Sequence, residues 1–217
     1  EDDFNQGEYA PKRDGEYAPG GGNPADEIIP KLRDPDAPVI MTAADGISET
    51  YRHPVTYFKT ALGLVLLREQ ILGKDRFDYA FRKYTHAWAY KHPKPDDFFR
   101  SMENASGENL SWFWREWFYH NWQFDIAIAE ARYSGDDYTK GVNIRIVNKK
   151  RMIFPCTLEL KFKNGESRRI TIPVEAWLYK KEIMIHEALN STLDKIILDP
   201  DAALPDSDRG NNSFSLP

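Results

Sequence analysis

The most apolar continuous run in the chain is His53-Pro54-Val55-Thr56-Tyr57-Phe58-Lys59-Thr60-Ala61-Leu62-Gly63-Leu64-Val65-Leu66-Leu67. From Ala61 to Leu67 only Gly63 lacks an apolar side chain, which predicts a helix buried over most of its circumference. Pro54 suits the first turn, where a missing N–H costs nothing, and Gly73 closes the helix after about Leu72. The helical period continues to Trp122. A second helix places Phe77, Phe81, Tyr84 and Trp88 on one face and is stopped by His92-Pro93-Lys94-Pro95. A third, short one has Asp96 and Asp97 in its first turn, where they favour the dipole. Phe98, Phe99 and Met102 supply its apolar side, and it ends near Ser106-Gly107. A fourth carries Leu110, Phe113, Trp114, Trp117, Phe118 and Trp122 as one stripe. Connections this short predict compact antiparallel packing.

After about Asp125 the period becomes two. Val142, Ile144 and Ile146 alternate with polar residues, as do Cys156, Leu158, Leu160 and Phe162. Asn164-Gly165 then makes a hairpin turn that returns through Ile170, Ile172 and Val174. Further strands are expected around Trp177, Ile183–Ile185 and Ile196–Leu198. Short antiparallel strands at this spacing predict a small β-sandwich.

The two ends read differently. Residues 1–50 hold the repeat Glu8-Tyr9-Ala10-Pro11 and Glu16-Tyr17-Ala18-Pro19, then Gly20-Gly21-Gly22 and prolines at 24, 30, 35 and 38. Pro removes backbone donors and Gly raises chain entropy, so an extended or partly disordered arm is expected, with the repeat as linker. Pro38-Val39-Ile40-Met41 is its candidate docking patch. The stretch 202–217 is polar and Asp/Asn-rich and reads as a solvated, irregular tail. The fold class is therefore α+β: an extended arm (1–50), a four-helix unit (51–122), an antiparallel β-sandwich (123–201) and a polar tail (202–217).

Composition narrows the partners. With 217 residues, 41% hydrophobic and 13% aromatic, the chain has material for one sizeable domain or two small ones. A net charge of −5 leaves no basic footprint, so nucleic acid is not an expected partner. No run is long enough for a transmembrane helix, and no signal peptide opens the chain. The single cysteine, Cys156, excludes an internal disulfide and a Cys-rich zinc site. The chain opens on Glu1, which suggests a piece of a longer protein or a removed leader.

Motif by motif, chemistry is scarce. His186-Glu187-Ala188-Leu189-Asn190 begins like a zinc-protease helix, but Asn190 stands where a second His is needed, in strand-forming sequence. His86, His92 and His120 lack ligand spacing. Asp199, Asp201, Asp206 and Asp208 lack the order of a calcium loop. Most tryptophans fall on the buried stripe, Trp112 being the exception, so core packing is favoured over sugar stacking. No phosphate loop, nucleophile elbow or Cys–His pair is present.

Order and spacing of several elements nevertheless resemble the aminopeptidase-N-like zinc metallopeptidases, the gluzincins. Tyr57-Phe58-Lys59-Thr60-Ala61 resembles the family's Tyr-x-Lys-Gly-Ala helix start, followed by Leu72-Gly73-Lys74-Asp75-Arg76-Phe77. Asp97, Met102-Glu103-Asn104-Ala105-Ser106-Gly107, Leu110, Phe113 and Trp117 complete the pattern over residues 51–122. The Pro-Asp-Ser-Asp-Arg-Gly-Asn-Asn ending is similar to that of bacterial members. The resemblance implies the distal part of a thermolysin-like catalytic domain, with Tyr57 as the catalytic donor to the oxyanion of the tetrahedral intermediate. A phenol stays protonated at neutral pH and suits that role. Thr60 replaces the family's usual Gly, so packing there is expected to differ.

The zinc ligands, His-Glu-x-x-His and a third, precede the Tyr helix in the family and do not occur in this sequence. The family's amine-binding Met-Glu-Asn lies upstream of the zinc on an extended segment, whereas Met102-Glu103-Asn104 falls on a helix, so no such role is assigned to it. No cofactor is expected in this chain, and zinc is expected in a full-length parent. A peptide substrate is likewise implied, as are packing against the N-terminal part of the catalytic domain and an exported, cell-envelope setting. Taken alone the chain is expected to be inactive. The alternative is a non-catalytic interaction or scaffold module of the same descent.

Overall fold

The computed structural model describes residues 24–216. The tandem Glu-Tyr-Ala-Pro repeat lies outside them. Pro24–Arg33, expected to be extended, forms helix α1. Ile28 and Leu32, four apart, are buried in the common core, and that burial outweighs the cost of Pro30 inside the helix. Past α1 the chain turns, and Ile40 and Met41 pack against the core. The Met41 N–H donates to the Phe118 carbonyl at 3.3 Å.

Helix α2 occupies residues 49–72. It is α-helical over Glu49–Tyr51 and Thr60–Leu66, and π-helical over Arg52–Lys59 and Leu67–Leu72. Tyr51 joins α1 to α2 by donating its hydroxyl proton to Asp34 at 2.8 Å. Val55, Lys59, Leu62, Gly63, Leu66, Leu67 and Leu72 are buried. Tyr57 and Val65, however, are 57% and 37% exposed, and they mark the part of the circumference of α2 that the core does not cover. Helix α3 (Lys74–Trp88) packs on α4 (Pro95–Ser106) through Phe81, Tyr84 and Phe98, whose rings meet edge to face. The Asp97 carboxylate caps α4 by accepting from the Lys94 N–H at 2.8 Å. Gly107 ends it in the left-handed conformation (φ 69°) that glycine adopts without strain. Helix α5 follows, α-helical at Ser111–Trp114 and π-helical at Arg115–Tyr119, with Phe113, Trp114, Trp117 and Phe118 buried.

Seven antiparallel strands follow among the described residues. They are β1 (Ile126–Tyr133), β2 (Val142–Asn148), β3 (Cys156–Phe162), β4 (Ser167–Ile172), β5 (Glu182–Glu187), β6 (Leu193–Leu198) and β7 (Ser213–Phe214). One sheet has the order β1-β2-β5 and the other β4-β3-β6-β7. In β2 burial alternates residue by residue, so Val142, Ile144 and Ile146 face the second sheet across Leu158, Leu160 and Ile196. No strand forms at Trp177. Pro173 removes the donor a ladder would use, and a short 3-10 turn at Val174–Ala176 follows. Trp177 itself is buried.

The segment after β6 is not a solvated tail. Leu204, Asp206, Ser207 and Asn212 are buried, and β7 pairs with β6 through Ile196 and Phe214. The Asp side chains bind backbone: Asp199 accepts from the Ala203 and Leu204 N–H groups, and Asp206 from Ile126 and Asp208. Burial holds both carboxyls above the usual carboxylate range. Helices and sandwich share one core, with Phe154 in ring contact with Phe113, Trp117 and Phe124.

Candidate functional site

Tyr57 sits on the first π-helical stretch of α2, with its ring outward and stacked on His53 at 5.6 Å. His53 and Tyr57, four residues apart, share one helix face. Behind them lies Lys59, only 2% exposed. Its Nζ donates to Asn121 Oδ1 at 2.7 Å and to the His120 carbonyl at 3.5 Å, and lies 5.7 Å from the Trp117 ring centre. Burial pushes the Lys59 ammonium down to about 8.

Two further contacts close the clamp. Trp117 Nε1 donates to the Lys59 carbonyl at 2.9 Å. One turn on, Gly63 lets the same indole lie against the backbone, where an added Cβ would stand 2.2 Å from Nε1. Asn121 spends its amide protons on the Ala37 and Pro38 carbonyls, the second at 3.1 Å. Residues 37–38, α2 and the chain after α5 are thus tied at one point. Thr60 replaces the family's usual Gly, and the close approach of the indole falls three residues on, at Gly63. The Thr56 and Thr60 hydroxyl oxygens are buried without a hydrogen-bond partner.

The motifs set aside on sequence grounds have structural duties. His186 lies on β5, with Nδ1 3.0 Å from Asn143 Oδ1. Glu103 accepts from the Leu110 N–H at 3.0 Å and so joins α4 to α5. Trp88 donates to Ser101 Oγ, while Trp112 rests against Phe113 and Phe154. Among the described residues no group of three or more His, Cys, Asp or Glu is placed to hold a metal ion. Lys59, Gly63 and Asn121 are the site residues that sequence reasoning passed over. A single charge inside an apolar run was the available signal for Lys59, while nothing local marked Asn121.

Residues 31–117 match the Peptidase family M1 domain. Among solved structures, aminopeptidase A of Legionella pneumophila, in complex with aspartic acid, is similar with a TM-score of 0.51 and 15% identity. The likeness is one of fold, and it covers 71% of this chain but only 17% of that one. No curated protein matches the chain.

Proposed function

We propose that the chain, whose residues 31–117 match the Peptidase family M1 domain, is the distal part of a zinc-dependent aminopeptidase and that Tyr57 is its oxyanion donor. The observation that carries this is Tyr57 itself: a phenol exposed on a helix whose opposite side is fixed by Lys59, Trp117 and Asn121. A donor held before the reaction begins stabilises charge that appears only in the transition state, at no cost of reorganisation. As the scissile carbonyl becomes tetrahedral, the Tyr57 hydroxyl donates to its oxygen and keeps its own proton. On this reading the zinc and its His-Glu-x-x-His ligands, a motif that does not occur in this sequence, belong to another part of the parent protein. The face of α2 that bears Tyr57 and Val65 is where that part packs, leaving the phenol at the seam. A peptide with a free N-terminus is the substrate class.

The test uses aminoacyl anilides. In the parent enzyme Tyr57→Phe is expected to lower kcat by about a hundredfold or more, as loss of an oxyanion donor does. An unchanged kcat removes Tyr57 from the mechanism. Purified by itself, the 217-residue chain is expected to show no metal-dependent turnover. Turnover by the chain alone ends the division of labour argued here.

A further inference from the structure

Lys59 is a costly residue if its only task is to fill space. A buried ammonium loses its hydration, and an apolar side chain of similar length would occupy the same volume without that loss. Hydrogen bonds to neutral acceptors, Asn121 Oδ1 and the His120 carbonyl, and the Trp117 ring face 5.7 Å away compensate it without any opposite charge. What the ammonium supplies, and an apolar side chain does not, is direction.

Resting on the reading of Tyr57 as the oxyanion donor, we propose that Lys59 is a positioning residue for Tyr57, fixing the rotation of α2 through Asn121. Two residues apart on one helical turn, the side chains point to nearly opposite sides of α2, Tyr57 being 57% exposed and Lys59 2%. Whatever turns Lys59 about the helix axis therefore swings the phenol the other way.

Three contacts resist that turn. The Nζ bond to Asn121 holds the side chain at 2.7 Å, and the Trp117 indole holds the Lys59 carbonyl at 2.9 Å. The third sits on Asn121, whose amide is oriented without ambiguity: its oxygen faces the ammonium and its nitrogen faces the Ala37 and Pro38 carbonyls. The segment that precedes α2 in the chain thus anchors the far side of the same helix.

Position matters at this site because an oxyanion donor works only within hydrogen-bond range of the developing charge, and a shift of about 1 Å costs on the order of a hundredfold in rate. The π-helical turn adds to the need for a pin. Arg52–Lys59 lacks the ordinary i to i−4 ladder, so its backbone alone fixes rotation less firmly than an α-helix does.

The experiment is a double-mutant cycle in the parent enzyme with aminoacyl anilides. Lys59→Met and Asn121→Ala are each expected to lower kcat by about ten- to a hundredfold with KM within about twofold, in folded protein. Lys59→Met added to Tyr57→Phe is expected to cost nothing further, because the pin then has no phenol to place. A purely structural lysine gives losses that multiply in the double variant, and that result overturns the proposal. So does a wild-type kcat for Lys59→Met beside an impaired Tyr57→Phe, which leaves the reading of Tyr57 standing. A wild-type kcat for Tyr57→Phe instead removes the donor and the proposal together. Should Lys59→Met not fold, Asn121→Ala combined with Tyr57→Phe gives the same cycle from the other end of the bond.

Discussion

Gly63 shows how one absent methyl group decides where the helix that bears Tyr57 lies. Alanine is the better helix former by about 1 kcal/mol, so propensity alone favours Gly63→Ala. Packing opposes it. The new Cβ would stand 2.2 Å from Trp117 Nε1 and 2.6 Å from Cδ1, inside any permitted contact, and the indole is completely buried with nowhere to retreat. Overpacking of this kind costs about 1–3 kcal/mol or more, which outweighs the gain. Thermal unfolding of Gly63→Ala should therefore show a lower Tm than the native chain, and an equal or higher one refutes the close approach. The same displacement stretches the Trp117 bond to the Lys59 carbonyl, so in the parent enzyme the variant should also lose activity. In the sequence Gly63 was visible as the one gap in an apolar run. Its reason was not, because Trp117 lies far along the chain and only tertiary packing brings the two together.

At the scale of elements, periodicity served well where one face alone met the core. The boundaries of α3 and α4 follow from spacing, from Asp97 at one end and from Gly107 at the other. For α2, apolar density implied burial over most of the circumference but did not say that Tyr57 and Val65 would stand on the uncovered part. Hydrophobicity says that a face prefers cover and does not say which chain provides it. The π-helical turns also shift the phase of side chains away from the 3.6-residue repeat on which such counts depend. Composition failed at both ends for a related reason. Proline frequency concealed the Ile28 and Leu32 pair that makes α1 worth forming. Aspartates after β6 suggested solvent, yet Asp199 and Asp206 fold inward because their carboxylates find backbone N–H groups. The role proposed for Tyr57 comes only from the family's order of motifs. A phenol at the start of a helix is not distinctive, and its clamp is assembled from three separated parts of the chain.

For the whole molecule, the change of period near Asp125 announced helices followed by a sandwich, but not how the two are joined. The joint is apolar around Phe154 and includes a charged residue, Glu116, which is 3% exposed. From α5 its carboxylate accepts the Ile153 N–H of the sandwich at 2.8 Å. Burial pushes this carboxyl up to about 7, against the opposing effects of that hydrogen bond and of Arg115. The sign follows from which state keeps the proton. Between about 4.5 and about 7 the unfolded chain releases it while the folded chain retains it, so stability is full below the lower value and falls as pH rises through the upper one. At about 1.4 kcal/mol per pH unit, the cost above neutrality is on the order of 3 kcal/mol. Glu116→Gln keeps an oxygen for the Ile153 N–H and carries no proton to lose. Its Tm should exceed that of the native chain at pH 8, and the difference should shrink toward zero near pH 5. A difference that does not change with pH would mean that the Glu116 carboxyl titrates alike in the folded and unfolded chain, so that burial at the joint does not raise it.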